Sequence, residues 1–234
     1  MNKEKKETNM NSDFDNLKNT LSRVEVPIDN VEHDKFRYNK NAEGFAKFLE
    51  KCEMPITVSI QGDWGSGKTS FMNLVRNNFL DNNSKEQNEF YKFDAWQFSA
   101  FGSEEFLPIF LLEEIAENTG CKSKQATRFF EELKSISILK LVETGSNYGI
   151  KIDPSVFDSN HAQKREKLIN SINEKTSGRR IVYFIDDLDR VKPEVAIEML
   201  EVIKSVLNLK NFIFVVAIDL EVIRKGLEKN LVII

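Results

Sequence analysis

Cysteine, histidine and proline are scarce in this chain, and no long apolar run occurs. Cys52 and Cys121 are the only cysteines in 234 residues. Two isolated thiols make neither a disulfide framework nor a metal cluster, and they fit a reducing cytoplasm. The two histidines, His33 and His161, have no ligand-like neighbours and read as surface residues. The longest apolar cluster, Phe106-Leu107-Pro108-Ile109-Phe110-Leu111-Leu112, is far shorter than the ~20 residues a membrane helix needs. Residues 1–20 are polar and mixed in charge, without the apolar stretch of a secretory signal. A strong charge of one sign is lacking too. The net charge is −4, so no global field draws the protein to nucleic acid or anionic lipid. The expectation is a cytoplasmic globular protein with no transmembrane segment, in which nucleic acid is not indicated.

What is present is a phosphate-binding loop. Gly62-Asp63-Trp64-Gly65-Ser66-Gly67-Lys68-Thr69 fits G-x-x-x-x-G-K-[ST]. Ile56-Thr57-Val58-Ser59-Ile60 before it reads as a buried strand, and Ser70-Phe71-Met72-Asn73-Leu74-Val75 after it as a helix start. The glycines let the backbone approach a phosphate closely. N–H groups at the helix N-terminus then point at the anion, and the helix dipole favours it. Lys68 adds a charge near the β- and γ-phosphates, and the Thr69 hydroxyl is placed to hold Mg²⁺. A glycine-rich turn matching by chance is the bland alternative, and the flanking strand and helix argue against it. Trp64 inside the loop reads as structural.

With 41% hydrophobic residues the chain can build a sizeable core. Residues 1–22 read as a flexible polar tail. A helix is expected at 41–53, strand one at 56–61, then the loop and a helix to about Leu80. Asp81-Asn82-Asn83-Ser84 reads as a loop, and Phe90–Asp94 as strand two. Ser99 to Gly178 reads as mostly helical, with Ser103 as a cap and Thr144–Gly149 as a loop. Ile181–Ile185 is strand three, all apolar as central parallel strands are. Pro193 opens the next helix, with Val195, Met199, Val202, Ile203 and Val206 at helical spacing. Phe212–Ile218 is strand four, and a last amphipathic helix covers Leu220 to Glu228. Strands alternating with helices imply an α/β fold with a parallel sheet and its site at the strands' C-terminal ends. The organisation expected is a first core part at 23–98, a helical insert at 99–178 and a second core part at 179–234.

Carboxylates stand where such a site needs them. Asp186 ends strand three, where an acid can hold Mg²⁺ beside the phosphate loop. Asp187 follows and can orient or deprotonate an attacking water. A solvated strand end is the alternative for both. In Asp186-Asp187-Leu188-Asp189-Arg190, Arg190 either contacts a γ-phosphate or belongs to an Asp–Arg pair that fixes the loop. Asp219 ends strand four and either senses the nucleotide or caps the last helix. Asp94, after strand two, is within reach of a water. Trp96 and Phe98 read as packing groups. Phe36 and Tyr38 are candidates for stacking on a base, with a core or surface role as the alternative.

Taken together, these residues resemble the KAP P-loop NTPases. The resemblance rests on Ile60–Ser70, on Phe93-Asp94-Ala95-Trp96-Gln97-Phe98, on Phe184-Ile185-Asp186-Asp187-Leu188-Asp189-Arg190 with Pro193, and on Phe214–Asp219. It covers roughly residues 33–228. It implies an additional-strand ATPase core of strand order 5-1-4-3-2, with ATP and Mg²⁺ as ligands. It also implies a part in phage exclusion or another bacterial defence system. Many members carry transmembrane helices between the two phosphate-site motifs, where this chain has a polar helical insert. A fifth strand and a lid, usual in the family, are not legible here unless Leu231–Ile234 is a stump of that strand. The first strand is then an open edge, which predicts self-association, a partner protein that completes the core, or a truncated product with weak ATPase activity.

Together these readings assign phosphate contacts to Gly62, Asp63, Trp64, Gly65, Ser66, Gly67, Lys68, Thr69 and Ser70, with Asp219 at the nucleotide. Mg²⁺ falls to Thr69 and Asp186, and catalysis to Asp187, Lys68, Arg190 and Asp94. Rival readings are an ATP-binding assembly module that hydrolyses negligibly, a nucleic-acid-stimulated motor, and a small-molecule kinase.

Overall fold

Apolar runs long enough for one strand alternate with amphipathic segments long enough for a helix, and the chain folds in that rhythm. The computed structural model describes residues 26–82, 88–99, 104–144, 159–206 and 209–231. In chain order these form α1 (Asn39–Lys51), β1 (Ile56–Gln61), α2 (Lys68–Asn82), β2 (Asn88–Asp94) and the short α3 (Ala95–Ser99). Then come α4 (Leu107–Asn118), α5 (Lys124–Thr144), α6 (Ser159–Lys175), β3 (Arg180–Asp186), α7 (Pro193–Glu201), β4 (Phe212–Ile218) and α8 (Leu220–Leu231).

The described strands make one parallel sheet in the order β1-β4-β3-β2. This is the expected order without a fifth strand. The two central strands are buried along nearly their whole length, whereas β1 alternates between half-buried and exposed residues. Side chains of successive strand residues point to opposite faces, so β3 and β4 feed two cores. Val182, Phe184, Ile213, Val215 and Ala217 pack with Ala46, Leu49, Leu74 and Phe79 of α1 and α2. Tyr183, Ile185, Phe214 and Val216 pack with Leu111, Ile115, Phe130 and Val195 from the helices of the other face. The result is a three-layer α/β core.

Local signals explain the element ends. Asp34 accepts hydrogen bonds from the N–H groups of Tyr38 (3.0 Å) and Asn39 (2.7 Å), which starts α1. Pro193 occupies the first turn of α7, where its missing N–H costs nothing. The stripe read as one helix after Pro193 changes at Val202 into a π-helical turn, Val202–Val206. Val202 and Ile203 stay buried through it.

Leu231, read as the possible start of a fifth-strand stump, is instead the last residue of α8. Asp81 and Asn82, expected in a loop, extend α2. The tail at 1–22, Asn83-Ser84, the Ser103 cap, the loop at 145–149 and residues 232–234 lie outside the described residues. Among the described residues no helix is long and apolar enough to cross a membrane.

Because all four strands run the same way, their C-terminal ends share one edge. Asp94 and Asp186 are register partners there, and so are Gln61 and Ile218. The phosphate loop, Asp94, Asp186 and Asp219 are therefore delivered to one end of the sheet by topology alone.

Candidate nucleotide site

The loop leaving β1 closes on itself before α2 begins. The Ser66 N–H donates to the Asp63 carbonyl (3.1 Å) and the Phe71 N–H to the Gly67 carbonyl (2.9 Å). Gly65 and Gly67 have φ of 77° and 89°, a left-handed region that favours residues without Cβ. The first-turn N–H groups of a helix have no helical acceptor, and those of α2 follow the loop directly. Lys68 folds back over the loop. Its Nζ donates to the carbonyls of Gly62 (2.9 Å) and Asp63 (3.4 Å) and pairs with Asp189 at 3.2 Å. Thr69 Oγ1 donates to Asp186 Oδ2 at 2.9 Å, across 117 residues of sequence. Ser70 turns elsewhere and accepts from the Ile28 N–H at 3.0 Å. Trp64, expected to be structural, is 70% exposed at the tip of the loop and contributes little packing.

The acids differ sharply in what holds them. Asp186 is 1% exposed; besides Thr69 it receives the Asp187 N–H (3.0 Å) and the Lys92 ammonium (2.9 Å). Lys92 is a site residue that sequence reasoning missed. Its signal was a lone cation in a strand, two residues before an acid. Asp187 sits at φ 55° and pairs with Arg190 Nε at 2.8 Å. Burial and the neighbouring Asp186 push its carboxyl above the usual aspartate range, against the pull of Arg190.

The Asp–Arg pair considered as a loop fixer forms, between Asp187 and Arg190. Arg190 pairs with Asp187 and lies 5.6 Å over the Trp96 ring, while Asp189 turns to Lys68. The Asp189 side chain is 4% exposed, and its Oδ1 is buried with no hydrogen-bond partner. Asp94 accepts from the Gln97 N–H (3.1 Å) and so caps α3. Asp219 accepts from the N–H groups of Glu221 (3.0 Å) and Val222 (3.3 Å), which is the capping alternative. Phe98 packs as expected, stacked 4.8 Å from Phe93. Trp96 does not pack in the core and is 47% exposed. Two residues apart on a helix is more than half a turn, so both cannot face the core.

The structure thus brings Lys68, Thr69, Asp186 and Asp189 into direct contact, and Asp187 adjoins them. A glycine-rich loop, a lysine, a hydroxyl and a buried acid meet at one end of the sheet. The model of the KAP family P-loop domain matches residues 38–233. The chain belongs to the KAP family. This KAP chain is also similar to the phage T7 exclusion protein of Escherichia coli (strain K12), at 20% identity over 237 residues. That match takes in 89% of the chain and 32% of the exclusion protein, so the chain spans about a third of that relative's length. Elsewhere in the KAP chain, a cleft of about 510 Å³ between α5 and α6 is lined by Lys122, Lys164, Lys167 and Lys175 and holds none of the expected site residues.

Proposed function

We propose that this chain binds Mg-ATP at Gly62–Thr69 and hydrolyses it, using the nucleotide to switch or assemble a bacterial defence system. The 2.9 Å contact between Thr69 and Asp186 carries this reading, because it joins the two halves of a Mg-nucleotide site. Among the described residues no cluster of three or more His, Cys, Asp or Glu side chains could hold an ion by itself. The donors present, a hydroxyl and a buried carboxylate, suit Mg²⁺ that arrives with phosphate oxygens as its other ligands. Bound there, Mg²⁺ would neutralise charge on the β- and γ-phosphates. Lys68 would contact the same phosphates, and the loop N–H groups would cradle them. Asp187 would orient the attacking water and take its proton, once Arg190 turns from it toward the γ-phosphate.

Asp187 held by Arg190 supports a second reading, in which the isolated chain binds ATP firmly and turns it over slowly. The exposed edge of β1 fits a partner or second copy that pairs with it. Resemblance to a phage exclusion protein supports the defence role.

The test is ATP-dependent thermal stabilisation of the wild type and Lys68→Ala. At about a hundred times its dissociation constant, ATP stabilises a binder by roughly 2.7 kcal/mol. Lys68→Ala is expected to lose most of that shift. An equal shift in both proteins removes the phosphate loop from the account. Phosphate release by the wild type then separates hydrolysis from binding alone.

A further inference from the structure

The segment before α1 presents two aromatic rings that the core does not use. Phe36 is 76% exposed and Tyr38 is 37% exposed, and their ring centroids lie 6.0 Å apart with planes 35° from parallel. Three observations fix where they stand. A Cβ placed on Gly67 would lie 3.9 Å from Tyr38 Cε2, so this ring borders the phosphate loop. Arg37, between the two aromatics, holds φ at 58°, a conformation that residues with a Cβ rarely adopt.

The third observation is how firmly the segment is tied down. The Ile28 N–H donates to Ser70 Oγ (3.0 Å), Asn73 Nδ2 to the Ile28 carbonyl (3.0 Å) and Asn77 Nδ2 to the Asp29 carbonyl (2.6 Å). Asp34 accepts the two N–H groups that start α1. An exposed pair of rings is thus held by a strained residue in an anchored segment, against the loop. Strain kept by its surroundings marks sites that use the resulting geometry.

The geometry points to Phe36 and Tyr38 as the platform on which the base of the bound nucleotide stacks. This rests on the proposed nucleotide binding at Gly62–Thr69. A nucleotide held there by its phosphates carries its base out past the rim, and Tyr38 is the ring that the rim touches. A nucleobase offers a π face to such rings, whereas the loop itself recognises only phosphate. Arg37 in its left-handed turn keeps the platform presented and is a positioning residue.

The experiment is calorimetric titration of the 234-residue chain with Mg-ATP and, separately, with Mg-tripolyphosphate, which has no base. The variants are Phe36→Ala, Tyr38→Ala and Tyr38→Phe, each checked for an unchanged melting temperature. Stacking on one ring predicts that each alanine variant binds Mg-ATP about 10-fold more weakly. Tripolyphosphate binding stays at the wild-type value in all three, and Tyr38→Phe keeps wild-type ATP affinity. Wild-type ATP affinity in both alanine variants overturns the platform, as does a parallel loss of tripolyphosphate. A wild type that binds neither ligand overturns the nucleotide reading, and the platform falls with it. Phe36 is exposed enough that its variant tests the idea even if Tyr38→Ala misfolds.

Discussion

Lys68 and Thr69 sit on the first turn of α2 and reach across to the strand end and loop after β3. Asp94, Asp187, Arg190 and Asp219, at the same end of the sheet, close on neighbours of their own. The first group converges over more than a hundred residues of sequence. The hydrogen bonds and ion pair that hold the second span two or three residues, although Arg190 also lies over the Trp96 ring. Phosphate and metal binding need a preformed cradle, because their groups must meet a fixed ligand. Hydrolysis needs a water-positioning acid only at the moment of reaction. On the proposed reading the binding groups are already gathered, though Lys68 still holds Asp189, while Asp187 and Arg190 hold each other.

Asp187→Asn tests that division most severely. Loss of a group that positions or deprotonates water lowers turnover on the order of 10²- to 10⁴-fold. Mg-ATP affinity, read by titration, is expected to stay near the wild-type value. Full phosphate release in Asp187→Asn would hand the role to Asp94.

Asp189→Asn sharpens the other side. Asp189 pairs with Lys68 at 3.2 Å and, on the proposed reading, would compete with phosphate for it. Breaking one partner of a buried pair destabilises the nucleotide-free protein, and freeing Lys68 raises Mg-ATP affinity on the order of 10-fold. The melting temperature without nucleotide falls while the ATP-dependent shift grows. A reduced shift would mean that Asp189 serves the ligand directly.

Arg190→Ala is read through pH dependence, separately from the turnover lost with its proposed γ-phosphate contact. The folded Asp187 carboxyl lies above its ordinary range, so its ionisation disfavours the folded state as pH rises through that value. Arg190 opposes the shift. Its removal moves the acid limb of the turnover profile upward in pH, if Asp187 acts as the base. A limb that stays in place, measured by initial rates from acid to neutral pH, breaks the link between Arg190 and Asp187.

How much of this was legible in the sequence depends on the range of the forces involved. The strands of Ile56–Gln61 and Phe212–Ile218 are read from their own residues, because local runs decide them. Thr69 facing Asp186 follows from motif and topology together. The pairs Lys68–Asp189 and Lys92–Asp186 were not legible, since long flexible side chains choose partners only after the backbone has placed them. Trp64 and Trp96 were misjudged because aromatic rings default to the core, and these two stand at the rim of the site. Gly226 gave no sequence signal either. A Cβ there would lie 2.2 Å from Pro193 Cγ, so α8 crosses α7 too closely for any side chain at that point.

The three ion pairs at the site, Lys68–Asp189, Lys92–Asp186 and Arg190–Asp187, also bear on how fast a nucleotide is captured. Each cation spends its field on an anion 2.8 to 3.2 Å away. Little of that field survives past the Debye length, about 8 Å at physiological salt. On the proposed reading, an approaching polyphosphate would gain little long-range steering from these three cations. Capture would begin at contact, as an exchange in which phosphate oxygens replace the Asp189 carboxylate on Lys68. The pace of arrival is then set by how readily the resident pair opens.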